Sequence, residues 1–346
     1  MYPHFYIFVV DIFLHAKMSS PKCGHVSSKA GLEVVGMLLL AVPLGYIYVF
    51  TGHHQPFHRG FYCDDKTIKH PYKEETITLG QALAIWFSLA IFFILFVETL
   101  RAVAEQGKRR AKLTAWKVKV PWIATELYRQ FGYFGLGALG CLVFTEISKY
   151  SIGRLRPHYL SVCQPAMTDN LCKDQYGFNR YVTEDENIIC QGLSWGNATT
   201  KQLHEARLSF MSGHTSFSFY CAVFLTVYLQ ARLSNFPPSS QTWVHLSYRT
   251  IKVFRPFIQF FLLILSFWIS LTRVSDYYHH PEDVLTGAMV GLAFAGLTLI
   301  VIADLFNKNS AFWKSFMGEQ TDSLPTQQKT TTDAQESKDG SVTTRI

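Results

Sequence analysis

Long apolar segments separated by polar loops dominate the sequence. Five of them carry at most one charged residue over about 17–25 positions, the length that a helix needs to cross the hydrocarbon core of a bilayer. These segments are 31–50, 77–97, 213–231, 256–272 and 284–303. Each is therefore predicted to be a transmembrane helix.

A sixth segment, 127–147, gives a weaker signal because Arg129 and Glu146 lie near its ends. Its glycines suit close contact between helices in lipid better than the interior of a soluble helix. They are Gly132, Gly135, Gly137 and Gly140. The alternative, a large soluble protein with buried helices, would need more amphipathic cover than the rest of the chain supplies. The pattern predicts an all-α integral membrane protein with six transmembrane helices.

Basic residues in the short loops predict the orientation of these helices. The 104–120 loop holds six lysines and arginines against one acid, and the 232–255 loop holds four basic residues and no acid. The 51–76 loop balances its charges. Because cytoplasmic loops carry the excess of Lys and Arg, the 104–120 and 232–255 loops and both termini are predicted to be cytoplasmic. The loops 51–76, 148–212 and 273–283 are then predicted to lie outside.

The chain is predicted to have one folded domain with a segment at each end. Residues 1–30 form a cytoplasmic N-terminal segment, and residues 31–305 form the six-helix membrane domain. Residues 306–346 are polar and lack periodicity. Such a composition cannot bury a core, so these residues are predicted to be a disordered cytoplasmic tail.

Composition agrees with a membrane protein. Charged residues are 16% of the chain, below the roughly 25% of average soluble domains. The net charge of +7 could suit a nucleic-acid-binding protein, but the positive charge lies in loops that flank the predicted helices. The expected partner is therefore the lipid bilayer, not nucleic acid.

Cysteines and a glycosylation sequon lie in the loops predicted to be outside. Four cysteines in an oxidising compartment could form disulfides with three possible connectivities, and free thiols are the alternative. They are Cys63, Cys163, Cys172 and Cys190. Asn197-Ala198-Thr199 matches the sequon, so we expect Asn197 to be glycosylated.

Three polar clusters follow or precede predicted helices, and the topology brings all three to the outer edge of the membrane. They are Lys149–Pro157, Ser212–Thr215 and Arg273–Asp283. The first residues of the first and last clusters, Lys149 and Arg273, are 124 positions apart. Their convergence on one face predicts a functional site at the extracytoplasmic membrane edge.

These clusters carry the groups that bind phosphate. Lys149, Arg156 and Arg273 supply positive charge, and an arginine fork can hold two phosphate oxygens. On one continuous helix, the seven-residue spacing of Lys149 and Arg156 would bring both to the same side. Ser212 and Gly213 lie where a helix is predicted to begin, and helix N-termini offer free N–H groups to anions.

Two histidines add groups that can act near neutral pH. His279 and His214 could serve as nucleophile and proton donor, and Asp283 could hold the second ring nitrogen of His279. The alternatives are headgroup anchors for the basic residues, structural histidines, and a helix cap at Asp283. A metal site is another interpretation, because four residues that can ligate metals lie together: His279, His280, Glu282 and Asp283. They are too close in sequence to bind one ion together easily. No metal and no cofactor are expected.

The chain resembles the lipid phosphate phosphatases of the type 2 phosphatidic acid phosphatase superfamily. That family's signatures, K-x6-R-P, P-S-G-H and S-R-x5-H-x3-D, are matched here at every spacing. The matching segments are Lys149…Arg156-Pro157, Met211-Ser212-Gly213-His214 and Thr272-Arg273…His279…Asp283. Met211 replaces Pro and Thr272 replaces Ser, and neither change removes a catalytic group. The resemblance also covers TGHHQPFHRGFYC and HPYKEETI in the first outer loop.

The resemblance implies a metal-independent phosphatase with an extracytoplasmic active site. By position, His279 is the nucleophile that becomes a phosphohistidine, Asp283 orients it, and His214 is the general acid. The residues implied to hold the phosphoryl oxygens are Lys149, Arg156, Ser212, Gly213 and Arg273.

The family's substrates are phosphatidic acid, lysophosphatidic acid, sphingosine 1-phosphate and ceramide 1-phosphate. The resemblance favours the plasma membrane over internal membranes and leaves a homo-oligomer open. Two other classes were weighed. A catalytically silent lipid-binding scaffold should lack the histidines or Lys149, and a transporter should carry its polar groups at the bilayer midplane.

Overall fold

The computed structural model describes residues 56–105, 113–115, 118–165, 168–183, 190–193, 198–234, 236 and 242–302. The predicted first transmembrane helix, 31–50, lies outside these residues. So do the N-terminal segment, the C-terminal tail and the sequon residue Asn197. The predictions made for those parts of the chain stay predictions.

Helices form most of the described structure. They are α1 (Leu79–Ala104), α2 (Trp122–Ile152), α3 (Tyr159–Cys163), α4 (Asp169–Cys172), α5 (Thr200–Glu205), α6 (Gly213–Ser234), α7 (Thr242–Ser275) and α8 (Pro281–Leu297), which continues into a π-helical turn at Thr298–Ile302. Four of them, α1, α2, α7 and α8, are long and apolar enough to cross a membrane. The protein is therefore an integral membrane protein by this criterion.

Helix α6 is the fifth long helix, and it lies at the centre of the bundle. It packs against α1, α2, α7 and α8. Protein rather than lipid surrounds it, so it can carry small polar side chains that find partners inside the bundle. Ser218, for example, accepts a hydrogen bond from the Trp86 indole N–H at 2.9 Å. By contrast, α7 exposes large apolar side chains such as Phe257 and Phe260.

Helix α7 differs from its prediction. The predicted segment started at Pro256, but the helix begins at Thr242 and carries Pro256 inside it. A proline inside a helix removes one hydrogen bond without necessarily ending the helix. Most of the described part of the predicted 232–255 loop is therefore helical.

Glycines allow the helices to approach closely, as predicted for α2. A Cβ on Gly137 would lie 2.2 Å from Thr298 Oγ1, and one on Gly140 would lie 3.1 Å from Phe294. Gly135, in contrast, has open space around it. Between the long helices described, the closest approach of a glycine to another backbone joins α6 and α8, where a Cβ on Gly291 would lie 2.3 Å from the carbonyl oxygen of Ser216.

Short strands, which the sequence did not predict, accompany the helices. β1 (Phe61–Tyr62) pairs antiparallel with β4 (Tyr181–Val182), which joins two of the predicted outer loops. β2 (Leu113–Ala115) and β3 (Val118–Val120) form a hairpin between α1 and α2. The all-α prediction therefore holds for the membrane bundle and not for these connections.

Two disulfides connect the same outer segments. Cys63 bonds to Cys172, and Cys163 bonds to Cys190. The predicted disulfide bonding is confirmed, and the free-thiol alternative is wrong. A small apolar cluster that includes Phe61, Leu155 and Tyr159 lies beside them. The outer segments thus have a core of their own next to the polar clusters.

Candidate active site

Backbone hydrogen bonds bring the three polar clusters together. Ser209 N–H donates to the Arg154 carbonyl at 2.9 Å, and Arg156 N–H donates to the Ala206 carbonyl at 2.8 Å. Ser212 N–H donates to the Asp283 carbonyl at 3.2 Å. The segment before α6 is therefore held on one side by the chain that follows α2 and on the other by the start of α8.

Lys149 and Arg156 do not share a helix, and the prediction from their seven-residue spacing is wrong. Helix α2 ends at Ile152, and Gly153 takes the left-handed conformation with φ of 57°. A Cβ there would also lie 1.8 Å from the carbonyl oxygen of Phe57. Glycine is thus required on both counts, and it turns the chain so that Arg156 reaches the site from a loop.

The three cations surround a common region with uneven pairing. Lys149 Nζ lies 2.7 Å from Glu146 Oε1. The Arg156 and Arg273 guanidinium groups both lie against the ring of Tyr278, with centroid distances of 4.9 and 5.6 Å. Both arginines are buried, yet Nε and Nη1 of Arg156 and Nη1 of Arg273 have no hydrogen-bond partner among the described residues.

The predicted helix start at Gly213 is confirmed. The Ser212 hydroxyl accepts from the Thr215 hydroxyl at 3.1 Å, and the first turn of a helix leaves its N–H groups without intrahelical partners. A Cβ on Gly213 would lie 3.2 Å from Lys149 Nζ, so any larger residue would crowd that ammonium group. The helix start and the cation therefore face the same space.

His279 is fully buried and has a defined orientation. Its Nδ1 lies 2.6 Å from the carbonyl oxygen of Ser209. A carbonyl can only accept, so Nδ1 carries the proton and Nε2 keeps its lone pair. Burial lowers the pKa of His279 well below its ordinary value, and the charges of Arg156 and Lys149 lower it further. His279 is thus a neutral imidazole at neutral pH.

Asp283 does not bind His279, contrary to the prediction. Its carboxylate accepts from Arg154 Nη1 at 2.6 Å, from the Ser209 hydroxyl at 2.6 Å and from the His280 N–H at 3.1 Å. The Ser209 carbonyl occupies the place beside His279 that Asp283 was expected to take. Asp283 therefore contacts His279 only through Ser209, whose hydroxyl it holds. It also caps α8, the alternative role given above.

The two remaining histidines have different surroundings. His214 lies in the first turn of α6, buried, and its Nε2 has no hydrogen-bond partner in the described part of the chain. The His280 Nε2 lies 3.0 Å from the Leu155 carbonyl oxygen, which ties the segment before α8 to the Arg154–Arg156 loop. His214 is therefore available for chemistry, whereas His280 is engaged in the scaffold.

Sequence reasoning missed several residues of the site. Tyr278 and Asp276 lie inside the third cluster, so their position was a usable signal. Ser209 precedes the second cluster by three residues, and only the fold reveals that its carbonyl reaches His279. Tyr72 and Glu75 lie in the HPYKEETI segment of the first outer loop, which the resemblance covers without assigning either residue a role.

Among the described residues, no group of three or more His, Cys, Asp or Glu side chains is arranged to hold a metal ion. The residues considered for such a site point to different partners. His279 contacts Ser209, His280 contacts Leu155, and Asp283 contacts Arg154. Lysine and arginine side chains supply the positive charge at the site instead.

Comparisons with known proteins match this arrangement. The family model of the PAP2 superfamily matches residues 130–306, a range that holds all three clusters. Phospholipid phosphatase 1 of Rattus norvegicus is 37% identical over 275 residues, which cover 80% of this chain and 85% of the relative. Phospholipid phosphatase 2 of Homo sapiens is 33% identical over 275 residues, covering 80% and 83%. No solved structure matches the chain. The resemblance seen in the sequence is thus confirmed, and the chain belongs to the PAP2 superfamily.

Proposed function

We propose that this protein is a metal-independent lipid phosphate phosphatase that acts through a phosphohistidine. Its substrates are phosphatidic acid, lysophosphatidic acid, sphingosine 1-phosphate and ceramide 1-phosphate. The observation that carries the proposal is the set of buried donors on Arg156 and Arg273 that make no hydrogen bond within the described part of the chain. A buried donor without a partner costs about 1–3 kcal/mol, so its retention indicates that a ligand supplies the missing acceptor.

The phosphate group of the lipid enters this cradle as the missing acceptor. The two guanidinium groups and the Lys149 ammonium group neutralise its charge, and the N–H groups at the start of α6 add directed donors. Phosphoryl transfer needs mainly positioning and charge stabilisation. Fixed cations therefore take the part that metal ions play in other phosphatases.

His279 Nε2 attacks phosphorus, and the bond between phosphorus and the lipid oxygen breaks. His214 donates a proton to the departing alkoxide. His214 then takes a proton from water, which attacks the phosphohistidine and releases inorganic phosphate. The low pKa of His279 supports this assignment, because the lone pair of Nε2 stays available at neutral pH.

Asp283 has an indirect role in this mechanism. By holding the Ser209 hydroxyl, it sets the carbonyl that orients the His279 ring. It is therefore a positioning residue. Replacement by Asn should lower turnover while the cradle still binds phosphate, because the cations remain.

We place the site on the outside of the plasma membrane, with six transmembrane helices and both termini in the cytoplasm. Basic short loops support that orientation, and disulfides between the outer segments suit an oxidising compartment. Asn197 is then a glycosylation site. Loss of a glycosidase-sensitive mobility shift in Asn197→Gln tests this. A cysteine introduced at position 198 that reacts only after permeabilisation would contradict the topology.

A catalytically silent lipid-binding scaffold is the second candidate, and the experiment must separate the two. Purified protein should release phosphate from the four lipids with chelator present, and His279→Ala should not. Brief reaction with labelled substrate should leave an acid-labile, base-stable phosphoryl group on the protein. A protein that binds these lipids without releasing phosphate would be the scaffold. One that loses activity in chelator and regains it with magnesium would contradict the mechanism.

A further inference from the structure

The first outer loop places an acidic side chain against the candidate phosphate cradle. Glu75 Oε2 lies 3.6 Å from Nη1 of the fully buried Arg273. Burial raises the pKa of Glu75, while the charges of Arg273 and Arg156 oppose that rise. A carboxylate repels a phosphate that approaches the same arginine, so its position calls for an explanation.

The residues around Glu75 hold it in that position. Thr76 N–H donates to Asp276 Oδ2 at 2.8 Å, and Lys73 Nζ donates to Asp276 Oδ1 at 2.7 Å. Asp276 also accepts from Arg273 Nη2 at 3.2 Å. The loop is therefore fastened on both sides of Glu75 to the turn that follows Arg273, and the carboxylate stays beside the guanidinium group.

The contact between Glu75 and Arg273 is nevertheless loose. A separation of 3.6 Å is too long for a hydrogen bond. Nη1 of Arg273 is buried and makes no hydrogen bond within the described ranges, whereas Nη2 bonds to Asp276. The carboxylate thus offsets the charge of Arg273 without saturating its donor. A phosphate oxygen could bond to Nη1 only by displacing the carboxylate or approaching against its charge.

We propose that Glu75 competes with the phosphate group for Arg273 and so keeps free phosphate, which has no apolar anchor, weakly bound. This rests on the proposed function. A lipid phosphate gains affinity from its chains in the bilayer and can overcome the competing carboxylate. Inorganic phosphate, the product, has no such contribution. Glu75 therefore weakens product binding and favours release after the phosphohistidine is hydrolysed.

The experiment compares Glu75→Gln with Glu74→Gln, which makes the same change at an exposed neighbour on the same loop. Binding of inorganic phosphate and of orthovanadate to the purified proteins is measured by calorimetry in detergent micelles. Turnover of a lipid phosphate is measured in parallel, with added phosphate as inhibitor. Glu75→Gln should bind phosphate about tenfold more tightly, because the repulsion of a nearby like charge is removed. Glu74→Gln should match the wild type.

An increase or a decrease in phosphate affinity distinguishes competition by Glu75 from a structural role. If Glu75 only supported Arg273, its loss would weaken phosphate binding, and that result would overturn the inference. Glu75→Asp, which keeps the charge, should restore weak binding. Unchanged phosphate affinity in Glu75→Gln, with lipid turnover intact, would overturn the inference and leave the proposed function standing. A wild-type protein that neither binds phosphate nor hydrolyses lipid phosphates would overturn both.

Discussion

The charged residues at the two ends of α6 differ in their pairing. Near the C-terminal end, Arg232 Nε lies 2.7 Å from Glu98 Oε1, and Arg232 Nη2 bonds to Glu126. At the N-terminal end, Arg156 and Arg273 are at least as deeply buried, yet both keep donors without hydrogen bonds. Arg232 thus bonds to glutamates on two other helices, whereas Arg156 and Arg273 keep several donors without hydrogen bonds. The C-terminal end is not fully satisfied either, since Glu98 Oε2 and Arg255 Nε also lack hydrogen-bond partners among the described residues.

This difference separates charges that hold the fold from charges that await a ligand. Arg232 joins α6 to α1 through Glu98 and to α2 through Glu126, so its bonds link three helices. The unfilled donors of Arg156 and Arg273 make no hydrogen bonds among the described residues, and the carboxylate of Glu75 stays 3.6 Å from Arg273 Nη1. Neither burial nor one unfilled donor identifies a binding arginine by itself. The N-terminal end differs because two buried arginines with unfilled donors lie against the same ring, that of Tyr278.

The largest expected effect comes from the nucleophile near the N-terminal end of α6. His279→Ala should reduce lipid phosphate turnover to background, because it removes the nitrogen that attacks phosphorus in the proposed mechanism. His280→Ala should keep measurable activity, since that ring anchors the Leu155 carbonyl. Phosphate release by both purified variants tests this. An inactive His280→Ala beside an active His279→Ala would reverse the assignment.

The comparison between the ends is tested directly by neutralising one arginine at each. Arg156→Gln should slow turnover by about 10²–10³-fold, as for removal of one donor that stabilises transition-state charge. Arg129→Gln is the matched control at the other end, where the side chain is 49% exposed. Its turnover should stay close to the wild type. Equal losses in the two variants would mean that pairing does not distinguish the ends.

Near the C-terminal end of α6, removal of a paired arginine should lower the stability of the protein and not its turnover. Arg232→Met would leave Glu98 buried without the cation that bonds to it, and Glu126 with only the half-exposed Arg129. Breaking a buried pair in this way costs about 3–5 kcal/mol. Thermal unfolding in detergent should show a lower midpoint. Turnover per folded molecule should change little, because the site lies at the other end of α6. A variant of normal stability and low turnover would contradict this division.

The disulfides allow a smaller test confined to the outer segments. Cys63 and Cys172 are 109 residues apart, and Cys163 and Cys190 are 27 apart. Removing a disulfide typically costs about 2–4 kcal/mol, and the chain-entropy relation makes the longer loop costlier by about 1 kcal/mol. Paired Cys→Ser variants, compared by unfolding under identical conditions, give the difference. A costlier loss of the Cys163–Cys190 bond would show that local packing, not loop length, decides it.

The sequence predicted the elements of this arrangement better than their contacts. Apolar length identified the long helices, because crossing a bilayer imposes a minimum run of apolar residues. Spacing identified His214, His279 and the three cations. The sequence failed where the contact depends on a turn of the backbone. Gly153 ends α2 and moves Arg156 into a loop, and the Ser209 carbonyl takes the place expected for Asp283.

Contacts between residues far apart in the sequence could not be predicted from its patterns either. Glu75 reaches Arg273 because Asp276 fastens the loop on both sides of it, through pairs about 200 residues apart. Such contacts leave no periodic signal. Arg232 was counted as a loop charge that sets orientation, and its two glutamate partners on other helices emerged only from the fold.

Two glycines on α8 fix how closely α6 and α8 approach each other beside the candidate active site. A Cβ on Gly287 would lie 2.7 Å from the Ser212 carbonyl oxygen, and one on Gly291 would lie 2.3 Å from that of Ser216. Ser212 precedes His214, the proposed proton donor, and Gly287 on α8 follows His279, the proposed nucleophile. A displacement of about 1 Å between reacting groups can cost 10²-fold in rate. Backbone contact at these glycines thus sets the distance between the two histidines. A methyl group added at either glycine should push α6 and α8 apart and slow the reaction, although it touches none of the reacting groups.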